Sequence, residues 1–319
     1  MAAYLGRPDA LEQVYGPRER AAVARLVRLA PPDAPEVAEV ALATWGTPRV
    51  DADFLGRWPR LGTVLYAAGS VRAFVTDALW DRGVRVSSAA QVNAACVAEY
   101  TVGVILFSLK HGWRLAAAMR QDGGVPDKHA VPGAYGSVVG LVSLGAVGRL
   151  VRLRLRPFDV RVLAFDPFLE PAEARRLRVD LTGLDELFAR SDVVSLHTPL
   201  LDETRGLIAG RHLAAMRPGA TFVNTARGAI VREAELVAVL RSRPDLQAVL
   251  DVTDPEPPPP ASPLRSLPNV VLTPHVAGCV GPERRRLGGA MVGELRRLLA
   301  GQPLRWEVTR ERASLLGVP

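Results

Sequence analysis

The sequence predicts an α/β protein made of two Rossmann-like domains, each built on a doubly wound parallel sheet. Its 319 residues suit two domains of about 100–200 residues each. Short apolar segments alternate with helical patterns along most of the chain, which is typical of parallel strands covered by helices on both faces. A glycine-rich segment also lies where one predicted strand turns into a helix, as the same architecture requires.

The first part of the chain carries a βαβ pattern. Strands are predicted at 37–44, 63–67 and 84–87, because each segment is short, mostly apolar and bounded by turn residues. A helical stretch, 76–82, lies between the last two strands. These elements predict a first, smaller parallel sheet.

A long apolar pattern follows this first sheet. Its periodicity predicts one continuous helix over 97–119, buried on more than one side. Gly123, Gly124 and Pro126 are expected to end it.

The second part of the chain alternates more regularly. Segment 254–268, with prolines at 257–260, is predicted to be a loop, and 201–217 fits neither pattern clearly. Strands are predicted at 138–144, 160–165, 193–196, 220–224, 248–252 and 270–273, and helices at 147–156, 184–190, 232–242 and 283–300.

Composition restricts the class of protein. With 48% hydrophobic and 23% charged residues, the chain is expected to be soluble and globular. No uninterrupted apolar run reaches the roughly 18 residues of a membrane span, and the first 25 residues do not fit a signal peptide. Cys96 and Cys279 are too few for a disulfide framework. A cytoplasmic location without a membrane partner is therefore expected.

The net charge of +7 raises the question of nucleic-acid binding. The positive residues are almost all arginines, and they are scattered rather than gathered in a tail or interleaved with aromatic side chains. No nucleic-acid partner is expected.

The glycine-rich segment points to a dinucleotide site. Aligned to the pattern G-x-G-x-x-G, it supplies Ser143, Gly145 and Gly148, with Ala146 and Val147 at the start of the predicted helix. A pyrophosphate would rest on that helix N-terminus. Asp166 ends the next strand at the spacing expected of a residue that binds ribose hydroxyls and repels a 2′-phosphate. NAD is therefore expected, with NADH preferred over NADPH. Ser143 departs from the pattern, because a glycine usually makes that turn.

Three further strand ends carry reactive side chains. Arg227 offers a planar set of donors for a carboxylate, His275 can exchange a proton near neutral pH, and Glu256 can orient the imidazole and stabilise its protonated form. Together with a nicotinamide, these groups suit hydride transfer between an alcohol and a carbonyl that carries an adjacent acid. No metal site is expected.

These motifs resemble those of the D-isomer-specific 2-hydroxyacid dehydrogenases. The segments that carry the resemblance are Asn93 through Glu99-Tyr100, His197-Thr-Pro-Leu200, Asn224-Thr-Ala-Arg227-Gly228 and Leu272-Thr-Pro-His275-Val-Ala-Gly278. The resemblance assigns carboxylate binding to Arg227, acid/base catalysis to His275 and support of that histidine to Glu256, which directly precedes a proline, rather than to Asp254.

The resemblance also implies further contacts. Asp251 is expected beside the nicotinamide carboxamide. The remaining cofactor contacts are expected from His197, Thr198, Pro199, Thr225, Ala226 and Gly278, together with Arg227 and His275. Gly69 and Ser70 are expected to bind the substrate carboxylate with Arg227 and His275. Arg72 stands where the family usually has aspartate, so it either holds its own loop or binds a second anionic group of the substrate.

The sequence therefore predicts an NAD-dependent oxidoreductase that interconverts a 2-oxoacid and a D-2-hydroxyacid in a cleft between two domains. Residues 1–93 and 283–319 are expected to bind substrate, and 94–282 to bind NAD and form a homodimer. Two alternatives remain: an NAD(H)-sensing protein similar to the corepressors of this fold, and a related oxidoreductase acting on formate or phosphite. Glu256, where formate dehydrogenases have glutamine, and the lack of a lysine in the predicted substrate loop oppose the second alternative.

Overall fold

A computed structural model describes residues 1–121 and 127–315. Backbone contacts divide the chain into two compact units, Met1–Cys96 with Cys279–Pro319 and Val97–Gly278. Gly123, Gly124 and Pro126, which were expected to end a helix, lie outside the described residues.

The strands follow the predicted segments closely, and β1, β7 and β12 are additional to them. In chain order they are β1 (Ala2–Leu5), β2 (Val40–Ala43), β3 (Thr63–Tyr66), β4 (Arg85–Ser88), β5 (Val138–Val142), β6 (Arg161–Phe165), β7 (Asp180–Leu181), β8 (Val193–Leu196), β9 (Thr221–Asn224), β10 (Gln247–Leu250), β11 (Val270–Leu272) and β12 (Glu307–Val308).

The α-helices alternate with these strands. In chain order they are α1 (Pro8–Val14), α2 (Pro17–Leu26), α3 (Ala52–Arg57), α4 (Asp77–Asp81), α5 (Ala90–Leu109), α6 (Gly112–Gln121), α7 (Ala146–Arg154), α8 (Pro171–Leu177), α9 (Leu184–Arg190), α10 (Gly210–Ala214), α11 (Glu233–Ser242), α12 (Arg284–Leu299) and α13 (Arg310–Leu315).

The first unit contains a sheet in the order β1-β2-β3-β4-β12, in which only β12 is antiparallel among the described strands. Beyond β1, Leu29 forms a parallel bridge with Ala2. From β1 the chain passes first to Leu29 on one side and then to β2, β3 and β4 on the other side. The sheet is therefore doubly wound. Helices α1, α2 and α12 pack on one face, and α3 and α4 on the other.

The second unit contains an entirely parallel sheet in the order β11-β10-β9-β8-β5-β6-β7 among the described residues. The winding direction reverses between β5 and β8. Ligands of such sheets bind beyond the carboxyl ends of the strands at this reversal. The loops that follow β5 and β8 are therefore expected to contact a ligand.

The prediction of one helix over 97–119 is wrong. The structure has two helices, α5 and α6, with Lys110 and His111 between them. His111 adopts φ 49°, a left-handed conformation that cannot continue a right-handed helix. Apolar periodicity runs through the break because both helices bury apolar residues. By length and composition α5 could cross a membrane, and half of its most apolar window is buried within the protein.

Candidate active site

The glycine-rich loop connects β5 to α7 and is shaped by Ser143. This residue has φ 74°, a conformation that favours glycine. Its N–H donates to the carbonyl of Phe165 at 2.8 Å, and its hydroxyl lies 2.8 Å from that of Thr198. Serine therefore makes the turn that a glycine usually makes, and a hydrogen bond holds it there.

The two glycines of the loop have different roles: one allows close packing within the protein and the other borders open space. A Cβ on Gly148 would lie 2.3 Å from the carbonyl oxygen of Ser143, so only glycine allows α7 to pack this closely on the loop. A Cβ on Gly145 would enter open space. Gly145 precedes α7 as its N-cap residue and has no side chain that could cap the helix, so the N–H groups of Ala146 and Val147 stand at the start of the helix. This end fits the pyrophosphate of a dinucleotide.

Asp166 lies at the end of β6, beside the same loop. One carboxylate oxygen accepts the N–H of Leu144 at 2.8 Å, and the other accepts the N–H of Phe168 at 2.9 Å. Each oxygen keeps a second lone pair for a further donor. The carboxylate is thus held by the backbone while it remains able to accept ribose hydroxyls.

The segment after β8 carries His197, Thr198 and Pro199. The N–H of His197 donates to the carbonyl of Val142 at 2.9 Å, which fixes the segment beside β5. Burial lowers the pKa of His197 to about 3, and its Nε2 is buried without a partner among the described residues. The ring is therefore neutral at physiological pH. Thr198 is buried, whereas Pro199 is exposed.

Arg227 lies on a tight loop after β9. The side chain of Asn224 holds this loop, since it accepts the N–H of Ala226 at 2.9 Å and donates to the carbonyl of Arg227 at 3.0 Å. A Cβ on Gly228 would lie 2.0 Å from the carbonyl carbon of Thr253, so glycine is required where this loop meets the next. Burial lowers the pKa of Arg227, and the charge of Glu256 opposes that change. Arg227 is therefore a half-buried guanidinium that lies near the acidic side chain of Glu256.

Glu256 and His275 form a pair across the ends of β10 and β11. Nδ1 of His275 lies 2.6 Å from Oε1 of Glu256. Because a carboxylate accepts only, Nδ1 carries the proton and Nε2 is left for a substrate. Asp254, the rival acid, instead lies 3.8 Å from Arg205.

Asp251 is buried and organises the loop that carries His275. One oxygen accepts the hydroxyl of Thr273 at 2.6 Å and the N–H of Val276 at 2.9 Å, and the other accepts the N–H of Ala277 at 2.9 Å. The backbone N–H of His275 donates to the Asp251 carbonyl at 3.0 Å. These bonds hold His275 at φ 54°. They also use most of the lone pairs of the Asp251 carboxylate, so little of it remains to accept a hydrogen bond from a nicotinamide carboxamide.

A pocket of about 410 Å³ lies beside this pair. Glu256, His275 and Thr273 line it, together with Pro258 and Arg265. Arg265 donates to the carbonyl of Pro258 at 2.7 Å from Nη2, so it holds the proline-rich loop in place. The imidazole is accessible from this pocket.

The predicted substrate loop lies in the other unit, after β3. The hydroxyl of Ser88 donates to the carbonyl of Gly69 at 2.6 Å, and the N–H of Arg72 donates to the hydroxyl of Ser70 at 3.4 Å. A Cβ on Gly69 would meet open space, and Arg72 is exposed. The loop is therefore held by Ser88 of β4 and by the side chain of its own residue Ser70.

Several residues that position these groups were not predicted. They are Asn224 and Thr273, which hold the arginine and histidine loops, Ser88, which holds the Gly69 loop, and Arg265. The first two lie within the segments that carry the resemblance, at strand ends, so their position was a usable signal. Ser88 and Arg265 had no comparable signal, because each contacts a backbone carbonyl, and such a contact does not depend on the identity of the accepting residue.

Residues 102–277 match the family model of the D-isomer specific 2-hydroxyacid dehydrogenase NAD binding domain. This match covers more than half of the chain. The chain belongs to the D-isomer specific 2-hydroxyacid dehydrogenase family. Its second unit therefore contains the NAD-binding domain of this family.

Relatives in this family differ in their substrates. The chain is 35% identical over 253 residues to D-3-phosphoglycerate dehydrogenase of Mycobacterium leprae, covering 79% of this chain and 48% of the relative. It is 35% identical over 254 residues to (S)-sulfolactate dehydrogenase of Chromohalobacter salexigens, covering 79% and 82%. The chain thus spans about half the length of the phosphoglycerate dehydrogenases that it matches.

A solved family member shares the fold over almost the whole chain. The D-isomer specific 2-hydroxyacid dehydrogenase from Xanthobacter autotrophicus Py2, in complex with NADPH and MES, is 29% identical, with a TM-score of 0.76 and coverage of 98% of both chains. The two-unit α/β architecture is therefore that of the family.

Proposed function

We propose that this protein is an NAD-dependent oxidoreductase that interconverts a 2-oxoacid and a D-2-hydroxyacid. The observation that carries this proposal is the 2.6 Å contact between His275 Nδ1 and Glu256 Oε1, at the carboxyl ends of strands in a sheet whose glycine-rich loop fits a dinucleotide. A polarised imidazole near a nicotinamide site is the arrangement needed for alcohol–carbonyl chemistry.

The residues of this chain divide the work in the reductive direction. A bound nicotinamide cofactor would supply the hydride. His275, protonated on both nitrogens, donates the Nε2 proton to the carbonyl oxygen of the substrate as that oxygen gains charge. Glu256 orients the ring through Nδ1 and stabilises its positive charge. Arg227 binds the substrate carboxylate and orients the reacting carbonyl.

The two units then have different tasks. The first unit, with Gly69 and Ser70, binds the substrate carboxylate through backbone N–H groups, and the second unit, with Arg227 and His275, carries the reacting groups. The enzyme works in the cytoplasm as a homodimer formed through the NAD-binding unit. Exposed apolar side chains on α5 and α6, Phe107 at 44% and Met119 at 55%, support the dimer. Light scattering on the purified protein tests it.

Asp166 selects NADH over NADPH. Its carboxylate is fixed by two backbone N–H groups, and a 2′-phosphate beside it would be repelled. Catalytic efficiency should be at least about tenfold higher with NADH, a difference of about 1.4 kcal/mol. Equal efficiency with the two cofactors would remove this assignment. The comparison matters because the Xanthobacter relative binds NADPH.

Arg72 favours substrates with a second anionic group. Its guanidinium is exposed at the loop that holds Gly69 and Ser70, and the names of the phosphoglycerate and sulfolactate relatives describe substrates with a second acid. A charge-assisted hydrogen bond contributes about 1.5–3 kcal/mol, which corresponds to at least a tenfold effect on affinity.

A panel of 2-oxoacids tests the reaction and the substrate class together. The panel includes pyruvate, glyoxylate and phosphate-, sulfonate- and phosphonate-bearing 2-oxoacids, with loss of NADH absorbance as the readout. Turnover with formation of a D-2-hydroxyacid is expected, and the best substrates should be dianionic. Arg72→Ala should raise KM for the dianionic substrates at least about tenfold and leave pyruvate unchanged, while Arg72→Lys retains part of the preference. An equal loss for both classes would show that Arg72 only holds its loop.

The alternatives give different outcomes in the same experiment. Tight NADH binding without turnover of any 2-oxoacid would favour a nucleotide-sensing protein. Reduction of NAD by formate or phosphite would favour a related oxidoreductase.

A further inference from the structure

The two cysteines of the chain lie side by side. Cys96 and Cys279 are the only cysteines in the sequence, and their sulfur atoms are 2.7 Å apart. Both are thiols in the structure, with exposed fractions of 3% and 4%. The sulfurs of a disulfide are about 2.05 Å apart, so less than about 1 Å of movement separates this pair from a covalent bond.

The backbone holds the pair together independently of the sulfurs. The N–H of Cys279 donates to Oδ1 of Asn93 at 2.9 Å, and Asn93 lies one turn before Cys96 on α5. Cys96 and Cys279 also pack in the same apolar cluster as Leu287. The approach of the two sulfurs is therefore fixed by the fold.

The pair also occupies a particular place in the chain. Cys96 is the last residue of the first segment of the first unit, and Cys279 is the first residue of its second segment. A bond between them would join the two points at which the chain passes from one unit to the other.

We propose that Cys96 and Cys279 form a reversible intrachain disulfide when the protein meets a hydroperoxide. In the first step the Cys96 thiolate attacks hydrogen peroxide, the O–O bond breaks, and a sulfenic acid and hydroxide form. In the second step the sulfur of Cys279 attacks the sulfenic sulfur, its proton joins the leaving hydroxyl, and water departs. The two thiols are oxidised by two electrons, and the peroxide is reduced to hydroxide and water.

Charge placement assigns the order of the two sulfurs. Nη1 of Arg286 lies 3.7 Å from Sγ of Cys96 and donates to it, which offsets the carboxylate of Glu283 within 4.8 Å of the same sulfur and supports negative charge on that sulfur during its attack. Burial and the neighbouring sulfur raise the pKa of Cys279, so Cys279 remains a thiol until a sulfenic acid stands beside it. Cys96 is therefore the sulfur that peroxide oxidises, and Cys279 is the one that resolves it.

Intact mass spectrometry of the full chain tests the proposal. The protein is reduced, freed of reductant, exposed to increasing hydrogen peroxide, quenched in acid and alkylated under denaturing conditions. We expect both thiols to disappear together with the loss of two hydrogen atoms, and dithiothreitol to restore them. Digestion with trypsin should yield one species in which peptides 86–110 and 266–284 are linked.

Two single variants separate this disulfide from other oxidation products. Cys279→Ser should stop at a Cys96 sulfenic acid that dimedone captures, whereas Cys96→Ser should leave the Cys279 thiol largely unreacted. Two intact thiols in wild type after peroxide treatment would overturn the proposal. Oxygen addition without linked peptides, or linked peptides only in covalent dimers, would overturn it as well. The wild-type result does not depend on how the variants fold.

Discussion

His275 is held in one orientation by contacts to its backbone and its ring. The Asp251 carbonyl accepts its N–H, and Glu256 accepts from Nδ1. The sequence and the resemblance were sufficient to select Glu256 over Asp254 as the neighbour of this histidine. They did not predict that the Asp251 carboxylate accepts backbone N–H groups of the same loop. Every residue except proline has such an N–H group, so the sequence does not show which of them is bound.

Removal of the Glu256 carboxylate should slow reduction. In Glu256→Gln the imidazole loses the carboxylate that lies 2.6 Å from Nδ1, so the ring is less well oriented and its positive charge is less stabilised. The pair is partly exposed, and such pairs contribute up to about 1 kcal/mol, which corresponds to a loss of up to about fivefold in the rate of hydride transfer. The rate is measured with protio and deuterated cofactor to establish that hydride transfer is the step observed.

Asp254→Asn is the matched control for this measurement. Asp254 is an exposed acid of the same loop that faces Arg205 rather than His275, so its loss should leave the rate of hydride transfer unchanged. If Glu256→Gln and Asp254→Asn behave alike, Glu256 does not support the histidine in the reaction.

His197 should make the protein less stable in acid. Its pKa is lowered by burial to about 3, whereas in the unfolded chain it is about 6.5. Between these values the unfolded state binds the extra proton, so the free energy of unfolding falls as pH falls from about 6.5 towards 3. His197→Gln should reduce this slope in urea titrations, and replacement of the exposed His129 should not. Equal slopes in wild type and His197→Gln would contradict the neutral buried ring.

At the scale of elements, strands were easier to predict than helices. The strands of the second sheet are continuous apolar segments buried on both faces, so their signal is strong. Helices α1, α2 and α8 were missed although each begins at a proline, a residue that favours the first helical position. Their short length and charged faces hid the apolar period. The break at His111 was missed because the left-handed conformation of a single residue does not interrupt the apolar period.

The Ser143 turn should be stabilised by its hydrogen bond to Thr198. Ser143→Ala and Thr198→Val should each lower the free energy of unfolding by about 1 kcal/mol. The double variant should lose less than the sum, because one 2.8 Å contact is removed only once. Urea unfolding without added nucleotide measures all four proteins. Additive losses would mean that the two hydroxyls do not interact.

At the scale of the whole molecule, the second unit was predicted most completely. Its sheet order places the loops after β5, β8, β9, β10 and β11 at one edge, and the residues selected from the sequence follow those strands. This was possible because parallel strands bring their carboxyl ends together whatever the details of packing. The first unit was harder to predict, because its outer bridge at Leu29 and its antiparallel strand β12 are too short to show a period.

The acid/base role of His275 is tested most directly by single-turnover reduction of a 2-oxoacid accepted by the wild-type enzyme. NADH-loaded wild type and His275→Ala are mixed with saturating substrate, and the loss of NADH absorbance is followed with protio and deuterio cofactor. Proton donation by a positioned side chain contributes about 10²–10⁴-fold, so His275→Ala should lose that factor while still binding NADH. A His275→Ala rate near that of wild type, with a full deuterium isotope effect in both, would contradict the proposed chemistry of this site.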